Sequence, residues 1–256
     1  MSYLEAIFLG IIQGFTEFLP ISSSGHLVIA QHFMSIHQKG VLLEIVLHMG
    51  TLVAILIYYW DDLIELIKNT FSENTAMQVY LSYLVVATIP IICIGLISNN
   101  FIESMFSPSY VFIFLLINGF ILASTYFSLN RSIKQFTLFI ACIIGLFQIF
   151  ALLPGISRSG ITISTAMLLG IKHDQATKFS FFLAIPVLLG AGIFQLFNVE
   201  SFREIEILPL IIGFLFAAIT GYYVINWLVS VITNGKFYLF SIYCVSISIL
   251  SYILII

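Results

Sequence analysis

Leu19-Pro20-Ile21-Ser22-Ser23-Ser24-Gly25-His26 interrupts an apolar run that extends from Leu4 to Phe33, and Leu153-Pro154-Gly155-Ile156-Ser157-Arg158-Ser159-Gly160 interrupts a second, from Phe136 to Ile171. Proline disfavours helix in the residue before it and glycine weakens helix further, so each run predicts helix, break, helix. Serine is a strong N-cap, which starts a new helix just after each break. Of the 256 residues, 61% are hydrophobic and 8% charged, whereas soluble domains carry about 25% charged residues. Lipid is the solvent that suits this composition. Irregular backbone at membrane depth is tolerated only where protein or a water-filled cavity surrounds it. The two runs therefore read as re-entrant helical hairpins, 4–33 and 136–171, that meet at a buried site.

Six further stretches are long and apolar enough to span a bilayer: about 41–60, 80–98, 110–128, 178–197, 207–229 and 237–256. Short polar connections separate them, including Asp61-Asp62 through Gln78 and Asn99-Asn100 through Ser109. Tyr58, Tyr59, Trp60, Trp227 and Tyr238 stand near segment ends, where aromatic rings favour the interface. The fold expected is all-α and polytopic, a single membrane domain. The N-terminus, Met1 to Glu5, shows no positive region or cleavage site, so no signal peptide is expected. Cys93, Cys142 and Cys244 each lie in an apolar run, far apart and without a neighbouring His, and read as buried free thiols rather than a disulfide or zinc set. The net charge of −3 and the lack of a basic cluster give no sign of a nucleic-acid partner.

The breaks resemble each other. Gly10, Gln13, Ser22, Ser24 and Gly25 recur at a constant offset of 135 as Gly145, Gln148, Ser157, Ser159 and Gly160. Matching interruptions in two halves point to an inverted-topology repeat with its site near the midplane. The expected repeats are about 1–128 and 136–256. If the N-terminus lies outside, inner loops hold Lys68, Arg131, Lys134, Lys172, Lys178 and Lys236, and outer loops hold Lys39 and Arg203. The positive-inside rule favours that orientation.

Ionisable groups inside membrane segments are costly and mark function. Arg158 sits at a helix start, where free N–H groups and the guanidinium suit an anion with several oxygens; its alternative is a salt bridge to Glu17. Ser22, Ser23 and Ser24 precede His26 at the other helix start, as caps or, beside a base, as an activated nucleophile. Gln13 and Glu17 share one helix face at i and i+4, and their oxygens suit Mg²⁺ or Ca²⁺ if phosphate completes the shell. Glu44 and His48, again at i and i+4, line the cavity as outer support or form an ordinary polar pair between helices. Asp61, Asp62 and Glu65 read as a solvated face.

The text from Gln13 to His26 resembles the first signature of the undecaprenyl-diphosphate phosphatase (bacitracin-resistance) family, and that from Pro154 to Thr162 its second. Length, hydropathy and the stretch Glu44–Gly50 also fit. The resemblance implies hydrolysis of undecaprenyl diphosphate to the monophosphate and inorganic phosphate at the outer face of the bacterial plasma membrane, recycling the carrier for cell-wall polymers. It implies a divalent cation, a catalytic serine at Ser23, a histidine at His26 and a phosphate-binding arginine at Arg158. Ser157, Ser159 and Thr162 fall on neighbouring motif positions. The family's four-spaced acid pair maps to Gln13 and Glu17, and Gln13 departs from members with glutamate there. The expected mechanism has Ser23 attack the terminal phosphorus with His26 moving the proton; direct attack by water, with Glu17 or His26 as base, is its variant. A transporter or flippase of a polyprenyl phosphate would use a similar architecture, and a non-catalytic scaffold would not need Arg158.

Overall fold

A computed structural model describes residues 2–34, 41–72, 75–128, 135–197 and 207–255. Among them there are helices, turns and bends but no strand. Lipid offers no partner for free backbone groups, so a spanning chain must satisfy them within each helix. Five helices are long and apolar enough to cross a membrane: Thr75–Ile97, Pro108–Ser128, His173–Leu196, Ile207–Thr233 and Phe237–Ile255. Leu42–Tyr58 and Trp60–Thr70 form a sixth candidate, bent by 75° between its two parts. All six expected spans are thus helical. Large apolar side chains such as Phe120, Phe139, Ile219 and Tyr223 point outward, where a soluble protein would carry charge.

The elements are α1 (Tyr3–Phe18), α2 (Ser23–Phe33), α3 (Val41–Tyr58), α4 (Trp60–Thr70), α5 (Thr75–Ile97), α6 (Asn99–Ser104), α7 (Pro108–Ser124), α8 (Leu138–Gln148), α9 (Arg158–Leu168), α10 (His173–Phe197), α11 (Ile207–Thr233) and α12 (Phe240–Ile255). Two of these correct the sequence reading. The stretch after Tyr59, expected as a polar connection, is helical as α4, with acidic residues in its first turn and Lys68 in its last. That charge order suits the helix dipole. Asn99 to Ser104, also expected as connection, forms the short α6. The thiols need correction too: Cys244 is buried, but Cys142 is half-buried and Cys93 faces outward. Tyr59, expected at the interface, is buried against Phe181 and Phe182.

Contacts between helices fix their directions. Gly10 and Gly14 of α1 press on Gly213 and Ala217 of α11, and Gly50 of α3 presses on Phe214 of the same helix. Tyr58 reaches Asn226 further along α11. So α1, α3 and α11 run parallel. Tyr80 of α5 meets Phe179 and Phe182 of α10 and Phe136 just before α8, while Gly145 of α8 presses on Ala87 of α5. So α5, α8 and α10 run parallel as well. Tyr59 at the end of α3 touches Phe181 and Phe182 near the start of α10, and Gly192, later in α10, meets Met49 and Ile45 of α3. The second trio is therefore antiparallel to the first, which is the inverted topology that the repeated motifs predict. Since α1 and α3 run the same way, the chain between them returns to its starting side, and α1–α2 is re-entrant. By the same reasoning α8–α9 re-enters from the opposite side before α10.

The basic residues sort accordingly. Lys68 ends α4, Lys172 precedes α10, and Lys178 pairs with Asp62. Lys236 follows α11, whose end lies beyond the Tyr58 contact. All four stand at one end of the molecule. Lys39, Arg131, Lys134 and Arg203 lie outside the described residues.

Candidate active site

Both breaks open new helices with a serine cap. Ser22 Oγ accepts from the Gly25 N–H at 3.3 Å, and Ser157 Oγ accepts from the Gly160 N–H at 3.0 Å. The breaks also bond to each other. The Gly155 N–H donates to Ser22 Oγ at 3.0 Å, and the Ser157 and Ser159 hydroxyls each lie 3.3 Å from the Leu19 carbonyl oxygen. Ser24 Oγ is 3.3 Å from Ser22 Oγ, and Ser159 Oγ is 3.0 Å from Ser157 Oγ. A β-carbon on Gly25 would stand 3.1 Å from the Gly155 Cα, so backbone meets backbone here. Gly155 has φ +117° and Ser22 has φ +71°. Positive φ is ordinary for glycine but rare and strained for serine, and such strain gathers at functional sites.

Asn118 of α7 braces the junction. Its Nδ2 donates to the Pro20 carbonyl at 2.7 Å, and its Oδ1 accepts from the Ser157 N–H at 3.0 Å. One buried amide thus ties both breaks to a spanning helix.

The charged centre is Glu17, buried at the end of α1. Oε1 accepts from Arg158 Nη2 at 3.1 Å. Oε2 accepts from the Ser23 hydroxyl at 2.6 Å and from Gln13 Nε2 at 3.1 Å. His48 Nε2 stands 3.6 Å from Oε2, while its Nδ1 lies 2.7 Å from the Glu44 carbonyl oxygen. The first residues of the two re-entrant helices, Ser23 and Arg158, therefore meet on one carboxylate. They are also partners at the 135-residue offset, so the repeat places a hydroxyl and a guanidinium on opposite sides of the same group. Arg158 Nη1 further donates to the Ser180 carbonyl at 3.3 Å, which fixes the guanidinium plane.

The sequence expects His48 either as outer support or in an ordinary polar pair with Glu44, whereas here its imidazole faces Glu17 directly. Glu44 contributes its backbone carbonyl to His48. Thr162 lies one turn into α9, with its hydroxyl 2.6 Å from Ser180 Oγ and 2.8 Å from the Arg158 carbonyl, so it holds the Arg158 surroundings rather than touching Glu17. His26 is not bonded to Ser23. Its Nδ1 lies 2.8 Å from the Ser22 carbonyl and its Nε2 2.9 Å from the Tyr243 hydroxyl on α12. Ser23 takes Glu17 as its partner because α1 ends directly against the start of α2. Asn118, Ser180 and Tyr243 are the residues that sequence reasoning missed. An amide within an otherwise apolar span was a usable signal for Asn118. For Tyr243 there was none, since it sits near a segment end like any interfacial tyrosine.

A hard cation fits the donors at Gln13 and Glu17. Gln13 Oε1 is buried without a hydrogen-bond partner, and it belongs to the side chain already bonded to the Glu17 carboxylate. No group of three or more His, Cys, Asp or Glu forms among the described residues. Such an ion would take its other ligands from phosphate and water.

Fold and site together define a multi-pass membrane protein whose polar centre lies where two half-length helices converge. The chain belongs to the family described as bacitracin resistance protein BacA, which matches residues 6–250. It is 39% identical to the undecaprenyl-diphosphatase of Halothermothrix orenii over 99% of this chain and 98% of the relative. It is 41% identical to the undecaprenyl-diphosphatase of Methanococcus maripaludis over 94% of this chain and 96% of the relative. Undecaprenyl-diphosphatase 3 of Bacillus cereus is 38% identical over 98% of this chain and 96% of its own length.

Proposed function

We infer that this chain hydrolyses undecaprenyl diphosphate to undecaprenyl phosphate and inorganic phosphate. The observation that carries this reading is the meeting of Ser23 and Arg158 on Glu17, which sets a nucleophile, a base and an anion-binding group around one point. Phosphoryl transfer needs positioning and stabilisation of spread-out charge more than covalent chemistry. Arg158 and the N-termini of α2 and α9 receive the terminal phosphate. Ser23 Oγ attacks phosphorus and passes its proton to Glu17 Oε2 while the bridging P–O bond breaks and undecaprenyl phosphate departs. Water then attacks the phosphoserine phosphorus and gives a proton to His26, while the bond from Ser23 Oγ to phosphorus breaks and Ser23 recovers its proton from Glu17; inorganic phosphate leaves and His26 returns its proton to solvent. Gln13 and Glu17 are the residues that would hold a divalent cation, Mg²⁺ or Ca²⁺, whose charge offsets that of the phosphate oxygens.

The four basic residues at one end support an inner face there, by the positive-inside rule. The α1–α2 hairpin then opens outward, in line with a plasma-membrane enzyme that receives its lipid from the outer leaflet. Overproduction should accordingly raise bacitracin resistance.

The test is phosphate release from undecaprenyl diphosphate in mixed micelles with Mg²⁺, using wild type and the Ser23→Ala, Glu17→Ala and Arg158→Ala variants. Wild type should turn over, and each variant should lose at least about 10²-fold in kcat. Acid quenching should trap phosphate on Ser23. No release by wild type overturns the reading, and full turnover in Ser23→Ala overturns the serine route.

A further inference from the structure

Tyr243 belongs to neither break and is not bonded to Glu17, yet its hydroxyl is 2.9 Å from His26 Nε2. The two rings are stacked, with 5.7 Å between centroids and 12° between planes. His26 Nδ1 lies 2.8 Å from the Ser22 carbonyl oxygen, which can only accept. Nδ1 therefore carries the hydrogen, and in neutral imidazole Nε2 is then the nitrogen with the free lone pair. It follows that the Tyr243 hydroxyl donates to Nε2. The neighbouring residue anchors this contact: Cys244 Sγ is 3.3 Å from Asn118 Nδ2 and 3.8 Å from the Pro20 carbonyl. So α12 is pinned to the first break one residue away from the phenol.

We propose that Tyr243 is a positioning residue for the hydrolysis, holding His26 in the tautomer and ring orientation that leave Nε2 as the proton acceptor. The proposal rests on the phosphatase reading and on His26 as the base that activates water. The phenol O–H turns about a single bond, so it yields Nε2 to an arriving water while the stacked ring keeps the imidazole in plane. The ring and the hydroxyl thus have separable tasks, which conservative variants can split.

The experiment is a double-mutant cycle on the purified full chain, with phosphate release from undecaprenyl diphosphate as readout. Tyr243→Phe keeps the ring and should lower kcat about tenfold with KM within about twofold, the scale of one lost hydrogen bond to a reacting group. Tyr243→Leu, which also removes the stacking, should lower kcat several-fold more. In a His26→Ala background neither substitution should have a further effect, because both act through the imidazole. Wild-type kcat in Tyr243→Phe, or an equal loss in both backgrounds, overturns the proposal. Wild-type kcat in His26→Ala instead overturns the role given to His26, and absence of release by wild type overturns the phosphatase reading itself.

Discussion

Glu17 and Arg158 form a pair whose side chains are 5% and 10% exposed. A buried pair gains little net stability when whole, but removing one partner strands the other, at a cost of about 3–5 kcal/mol. Glu17→Ala and Arg158→Ala should each lower unfolding stability on that scale in detergent, and the double variant should lose clearly less than their sum. A double variant as unstable as the sum would mean that the two charges do not lean on each other. Asn118→Leu should cost about 1–3 kcal/mol for the Ser157 N–H it leaves unpaired, and less for the Pro20 carbonyl, which keeps the Cys244 thiol as a weak donor. Thermal unfolding and phosphate release should fall together in that variant. At this scale the sequence disclosed the chemistry-bearing residues through their rarity in apolar text, so Glu17, Arg158, His26 and His48 were legible. Their partners were not. Whether Ser23 bonds to Glu17 or to His26 depends on where α1 ends relative to α2, and that is a matter of angstroms that spacing along the chain does not carry.

Close helix contacts rest on small residues. A β-carbon on Gly14 would stand 2.5 Å from the Ala217 carbonyl oxygen and 2.8 Å from the Gly221 nitrogen, both backbone atoms. Gly14→Val should therefore force α1 away from α11 and displace Glu17 three residues later, with loss of thermal stability and of activity. Gly190 is the control, because nothing lies within 4 Å of its virtual β-carbon. Gly190→Ala should leave activity intact and, by helix propensity alone, add up to about 1 kcal/mol. The helical hairpins were legible because Pro, Gly and Ser punctuate them at both breaks. The amphipathic α4 was hidden by its own chemistry: Asp61, Asp62 and Glu65 look like a connection in hydropathy, yet acidic residues are what the first turns of a helix favour.

The directions of the helices give the whole molecule two unlike ends. Lys68, Lys172, Lys178 and Lys236 mark one of them, and the chain starts of α1, α3 and α11 mark the other. In a variant freed of its native thiols, cysteines placed at Lys68 and Lys236 should react with an impermeant reagent only in inside-out vesicles, and cysteines at Ser2 and Ser104 only in right-side-out ones. The reverse pattern would turn the protein over and put the α1–α2 hairpin on the inner side. The inverted plan was readable from the repeated polar positions, which keep register while the apolar filler drifts. Which helix leans on which was not readable, since lipid-facing and protein-facing apolar residues look alike in sequence.

The two loop tips are stitched together by bonds that all run one way: the second loop donates, from the Gly155 N–H to Ser22 and from the Ser157 and Ser159 hydroxyls to Leu19, and the first loop accepts. A carrier that rocks between facing outward and facing inward must break and remake such a seam on every cycle. This centre is built like a rivet instead of a hinge. Hydrolysis asks for no such opening, so the seam can stay closed from one turnover to the next.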